Sequence, residues 1–238
     1  MDDELEKNWN EFVKKHGKAA YGKVDEFLTN LEKEYKHKKI KQYENAGVTH
    51  QSAVNKARQS WVAYVGSKLE NIIHLVVEPI AKKYNAKVIS DKSIKRKNLD
   101  LEFDRVRREV IVHFDNNSCI PDADIIVYRY NDKLKKAKII SILSVKNSFR
   151  ERYTETPYWK LKLNQSPVTK NIQVFMVTPD RDSEISYVKT PPGKARLVLE
   201  YELDGVYIAK DKDKFDSSNK VGDLNDLLED LTKLLKKR

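Results

Sequence analysis

The stretch from Pro121 to Lys146 constrains the fold more than any other. A short turn at YNDKLKKAK separates the run DADIIVYRY from the run KAKIISILSVK. Two runs rich in Val, Ile and Tyr with so short a connection read as antiparallel neighbours in one sheet. Side chains alternate faces along a strand, so Ser144 and Lys146 share one side while Val145 points into the opposite layer. Lys146 therefore leaves the core at its strand's end. Asp122 stands where the preceding strand begins, so an acid and a lysine converge at adjacent strand ends.

Further short β-like runs follow the same pattern: AKVIS, EVIVHF, NIQVFMVTP and ARLVLEYELDGVYIA. The charged stretch DKSIKRKNLDLEFDRVRREV, between the first two, reads as a solvated connection. Upstream, SWVAYVGSKLENIIHLVVEPIAKKY is the strongest helix. Trp61, Val65, Leu69, Ile72, Ile73, Val76 and Val77 fill one arc of roughly 160°, and Glu70 falls at its rim, where a carboxylate can look along the edge of the core into a cleft. The bland alternative is a boundary glutamate in water. Residues 4–58 are polar and helical in character, with Gly47 marking a break and Thr49 placed to cap the next helix. At the other end GDLNDLLEDLTKLLKKR reads as an amphipathic helix capped by Asp223, with Leu224, Leu227, Leu228, Leu231 and Leu235 as its stripe. The expected architecture is an α/β domain, a mixed sheet with helices around it. Its expected parts are a helical N-terminal region at 1–58, a core at 59–210 and a C-terminal helix at 211–238.

Charge narrows the partners. Lys and Arg total 46 against 36 Asp and Glu, a formal charge of +10, which favours a polyanion over an acidic partner. A basic but uncommitted surface is the plain alternative. The single cysteine, Cys119, excludes an intramolecular disulfide and a multi-cysteine zinc site, and reads as a packed small residue in a reducing cytoplasm. No stretch has the apolar length of a membrane span, and the acidic N-terminus lacks a signal-peptide pattern, so a cytoplasmic setting without a membrane partner is expected.

An acid and a lysine at adjacent strand ends are what metal-assisted phosphodiester hydrolysis requires. A carboxylate and a main-chain carbonyl are hard oxygen ligands suited to Mg²⁺, and an ammonium is a compact positive charge for a developing anion. A PD pair before one apolar strand and an x-x-K at the end of the next resemble the PD-(D/E)xK nuclease superfamily. That resemblance implies a central mixed sheet flanked by helices and Mg²⁺-dependent cleavage of DNA. Ser144 stands where most members carry an acid.

One branch makes that replacement. The type II restriction endonucleases that cut around CCGG, the BsaWI-like and AgeI-like enzymes, carry S-x-K with an acid supplied from the following helix and an R-x-(D/E)-R or R-(D/E)-R element beyond the lysine. Here SVKNSFRER is similar, and SWVAYVGSKLENII is similar to the branch's helix before the sheet. The resemblance covers residues 60 to 155 and implies Asp122 as main metal ligand, Lys146 as catalytic lysine, Glu70 as an active-site acid and Ser144 in the displaced acid's place. Glu155 is the candidate third acid, a metal ligand from the following helix at a somewhat shorter distance from Lys146 than the branch usually shows, and Pro157 is expected to interrupt any helix carrying it. Asp124, of the same parity as Asp122, is the fallback if the PD pair is misread, with a structural aspartate as the favoured reading.

Arg150, Glu151 and Arg152 have a physical reading of their own. Arginine donates two bonds to guanine and a carboxylate accepts from cytosine, so the cluster suits G·C pairs in double-stranded DNA. A solvated charge run is the alternative. The implied function is a Mg²⁺-dependent type II restriction endonuclease working as a homodimer on a short palindrome. A DNA-binding module without catalysis, and a repair or transposition nuclease of the same superfamily, remain open.

Overall fold

The computed structural model describes residues 3–148, 153–188 and 191–237. The chain opens with α1 (Asp3–His16), a 3-10 segment (Gly17–Lys23) and α2 (Val24–Asn45), then turns into α3 (His50–Lys83). Gly47 adopts φ +80°, a left-handed conformation that costs glycine nothing, and the chain reverses there. Thr49 occupies the N-cap of α3 with extended backbone, but its side chain makes no capping bond.

Strand β1 (Lys87–Ser90) leads into α4 (Asp91–Ile94) and α5 (Leu101–Val110), followed by a separate hairpin of β2 (Val112–Phe114) and β3 (Asn117–Cys119). Then come β4 (Ile125–Asn131), β5 (Lys136–Val145), α6 (Glu155–Asn164), β6 (Gln173–Thr178), α7 (Lys194–Glu202), β7 (Gly205–Ile208), β8 (Val221–Asp223) and α8 (Leu224–Lys236). The six-stranded sheet runs β1-β4-β5-β6-β7-β8, antiparallel from β1 to β5 and parallel from β5 to β8.

Alternation along β4 and β5 builds two cores. Ile125, Val127, Leu143 and Val145 face one layer, where they meet Leu69, Ile72, Ile73, Val76 and Val77 of α3 and the α8 stripe Leu224, Leu227, Leu231 and Leu235. Ile126, Tyr128 and Ile142 face the other, with Ile94, Val106 and Val110 from α4 and α5, Leu163 of α6 and Leu199 of α7. A fully buried leucine contributes on the order of 1.5–3 kcal/mol, so the sheet is clamped from both sides. Asp223 caps α8 as expected, accepting from the Asp226 N–H at 2.9 Å while Asp226 accepts from the Asp223 N–H at 3.0 Å.

Several expectations need correction. The stretch 91–110 is two helices and not a solvated connection: Asp100 caps α5 by accepting from the Phe103 N–H, and Val106 and Val110 are buried one turn apart. ARLVLEYELDGVYIA is a helix and then a strand, with Ala195, Leu199 and Leu203 buried at four-residue spacing before the chain changes period at Gly205. EVIVHF contributes only to the small hairpin, and Cys119 in that hairpin is exposed. Pro157 does not interrupt α6. It sits in the first turn, where a helix leaves N–H groups unpaired anyway.

Candidate active site

The site lies at the edge where β4 begins and β5 ends, which the register Ile125↔Leu143 brings level. One residue past β5, the Lys146 N–H donates to the Val177 carbonyl at 2.9 Å, extending the parallel ladder and fixing the lysine's backbone. Its ammonium donates to Asp122 Oδ2 and lies 3.6 Å from Glu155 Oε2. The Lys146 side chain is 13 % exposed, against 30 % for Asp122 and 37 % for Glu155, so the lysine forms the floor and the two acids open to solvent. Burial works against its charge, but the hydrogen bond to Asp122 and the charges of Asp124, Asp122 and Glu155 outweigh it and hold Lys146 above the ordinary lysine range.

Glu155 reaches this cluster because α6 begins beside β5. There the Thr156 hydroxyl donates to Ser144 Oγ at 2.9 Å, and both residues are buried. Ser144 therefore ties the helix carrying Glu155 to the strand leading to Lys146.

Asp124 lies behind the cluster. One of its carboxylate oxygens accepts from the Val145 N–H at 2.6 Å, and its main-chain carbonyl accepts from the Asp91 N–H at 3.4 Å, so it joins β4, the end of β5 and the start of α4. Burial pushes its carboxyl up to about 6. The Val145 N–H and Lys146 oppose that rise, while the negative charges of Asp122 and Glu70 add to it. Glu70 is on α3 at the same edge and is held by Lys92 of α4, whose ammonium donates to Glu70 Oε2 at 2.7 Å.

The structure thus brings Asp122, Lys146 and Glu155 into direct contact and places Glu70 and Asp124 within electrostatic reach. Ser144 faces α6. Arg150, Glu151 and Arg152 lie outside the described residues. Sequence reading missed Lys92, Thr156 and the bond that Asp124 makes to Val145. Thr156 carries a signal in retrospect, since a hydroxyl in the first turn of α6 can meet the inward-facing Ser144 of the strand beside it. Among the described residues, no group of three or more His, Cys, Asp or Glu is placed to form a closed metal cage.

A family model described as BsaWI restriction endonuclease type 2 matches residues 92–230, more than half of the chain and the whole sheet beyond β1. The chain belongs to the BsaWI restriction endonuclease family. It is a type II restriction endonuclease, as its similar proteins also indicate. A protein of Methanocaldococcus jannaschii assigned as type II restriction enzyme MjaVIP is 42% identical over 217 residues, covering 90% of this chain and 94% of that protein. A protein of Helicobacter pylori assigned as type II restriction enzyme HpyAORF263P is 46% identical over 167 residues, covering 70% and 84% respectively. Two solved structures share the fold. Restriction endonuclease PspGI, in a complex with substrate DNA, gives a TM-score of 0.55 at 16% identity over 98% of this chain and 93% of that one. Restriction endonuclease AgeI, in a specific DNA complex, gives 0.50 at 12% identity over 75% and 69%. These neighbours agree with the mixed sheet flanked by helices.

Proposed function

We propose that this BsaWI-family enzyme cleaves both strands of double-stranded DNA at a short palindromic site containing G·C pairs, using Mg²⁺ and acting as a homodimer. The observation that carries this reading is Lys146, kept charged on the floor of the site between Asp122 and Glu155, where β4, β5 and α6 meet.

The donor set fits the metal. Mg²⁺ keeps several waters and takes one or two carboxylates together with substrate phosphate, so Asp122 and Glu155 suffice without a closed cage. When bound, the ion polarises the phosphate and lowers the pKa of a water beside it. The rest falls to the chain itself. Lys146, held as an ammonium, stabilises the charge that builds on the phosphate oxygens during attack and is a poor general base. Ser144 and Thr156 hold Glu155 at its distance. The Asp124 carboxylate fixes the Val145 amide and with it the residue before Lys146, and Lys92 keeps Glu70 turned to the same edge. Arg150, Glu151 and Arg152, which follow this strand directly, are the proposed readers of base edges.

Digestion of a plasmid of known sequence with Mg²⁺, followed by run-off sequencing of the ends, tests the reading. Discrete fragments with a shared palindromic end sequence are expected, with Ca²⁺ supporting binding but not cutting. Full cleavage in EDTA, or ends without a common sequence, overturns it.

A further inference from the structure

We infer that the α2–α3 hairpin is an arm that grips the phosphate backbone of the bound duplex beyond the catalytic edge, an inference resting on the DNA-cleaving reading above. The topology sets its position. Helix α3 ends at Lys83, next to the start of β1 at Lys87, and β1 runs antiparallel to β4 so that its far end, Ser90, pairs with Ile125 at the catalytic edge. Residues 69–81 of α3 cover the sheet on the way back, and Glu70 reaches that edge, where Lys92 holds it. Everything in α3 before Glu70 therefore overhangs the side on which substrate must lie. The twenty-one residues from His50 to Glu70 extend about 30 Å at the helical rise, more than the width of a duplex.

The overhang is built from helix packed on helix. Ala53, Ala57, Trp61 and Val65 of α3 are buried, and Tyr35 of α2 packs against Trp61 and Tyr64 at ring separations of 5.5 and 4.5 Å. The two helices pack on each other and on α1, whose Leu5 and Trp9 share the core of Trp61 and Val65, and Arg181 anchors α2 through Asp25 and Glu32. Their outer surface is basic: residues 32–58 carry seven Lys and Arg against three Glu. Lys41, Lys56 and Arg58 are exposed and, among the described residues, take part in no ion pair; Lys56, whose ammonium lies 5.8 Å from the Tyr43 ring centre, is on the same side of α3 as Glu70. Gly66 is on that side too, one turn before Glu70. Among the described residues a Cβ added there would meet nothing within 4 Å, so their packing gives no reason for glycine in mid-helix. A duplex backbone lying against this side of α3 does.

The test measures binding of duplexes to the full-length enzyme in Ca²⁺ across a salt series. The variants are the triple Lys41→Gln, Lys56→Gln, Arg58→Gln and, separately, Gly66→Gln. Loss of three phosphate contacts should make the salt dependence less steep by about two to three units of log affinity per log salt. Cognate and scrambled duplexes should lose affinity alike, and single-turnover cleavage at saturation should keep the native rate. Gly66→Gln should keep the native melting temperature and lose affinity at least tenfold. Native salt dependence and affinity in both variants overturn the arm, as does a change of oligomeric state by light scattering in place of a change in affinity. If the native enzyme itself fails to bind and cut DNA, the underlying reading fails instead.

Discussion

At Lys146 two effects oppose each other, and their balance decides what the residue can do. Burial disfavours an ammonium, yet Asp122 accepts its hydrogen bond and two more carboxylates face it, so the charge is retained. On the proposed reading, a lysine so held serves as an electrostatic partner. Lys146→Ala should slow single-turnover cleavage at saturating Mg²⁺ by at least ~10³-fold, the scale of one lost transition-state partner. Cognate affinity in Ca²⁺ should stay within a few-fold of native, as read by fluorescence anisotropy. Near-native turnover would remove Lys146 from the site. The convergence of Asp122 and Lys146 was legible because strand parity and a short hairpin turn are local properties. Glu155 was only partly so. Its distance from Lys146 depends on the angle at which α6 leaves the sheet, set by the buried Thr156–Ser144 bond, and no spacing rule encodes that. The Lys92–Glu70 pair is 22 residues apart in sequence and exists only because β1 delivers α4 to the end of α3's docked half.

Among the elements, α3 illustrates why boundaries were harder to read than types. Its apolar arc from Trp61 onward reports docking on the sheet, whereas its first three turns bury only Ala53 and Ala57 against α2, too small a stripe to announce itself. Helices α5 and α7 were hidden for a related reason: each buries few side chains at four-residue spacing, and the valines and leucines among them match strand composition equally well. One titrating group on α3 gives a test of its docking. Burial holds His74 below its ordinary value of 6.5; Glu78 partly offsets this and Lys82 adds to it. The sign follows from linkage. The fold prefers neutral His74, so its contribution is intact above pH 6.5 and is lost as pH falls through the lowered folded value. Melting temperature of the metal-free enzyme should therefore drop on acidification below that point, and His74→Gln should drop less over the same range. Parallel curves for the two proteins would show that His74 is solvated and that α3 packs more loosely at this turn.

At the scale of the molecule, the three-layer plan follows from alternation along β4 and β5, each facing one apolar layer on either side, and could be anticipated from sequence. The strand order could not, because β2 and β3 fall between β1 and β4 in the chain yet leave the sheet. One catalytic edge per chain also bears on how a duplex is cut. On the proposed reading a single cluster of Lys146, Asp122 and Glu155 serves one phosphate, and the two strands of a duplex run in opposite directions, so two copies related by a two-fold axis would present equivalent sites to both strands of a palindrome. Differently tagged native and Lys146→Ala chains, co-expressed and purified on both tags in turn, isolate mixed dimers with one working site each. On a supercoiled plasmid with a single recognition sequence these should accumulate nicked circles, whereas native dimers pass through to linear DNA. Direct conversion to linear DNA by the mixed dimers would mean that one site cuts both strands in turn. Failure to retain any protein on the second tag would remove the dimer itself.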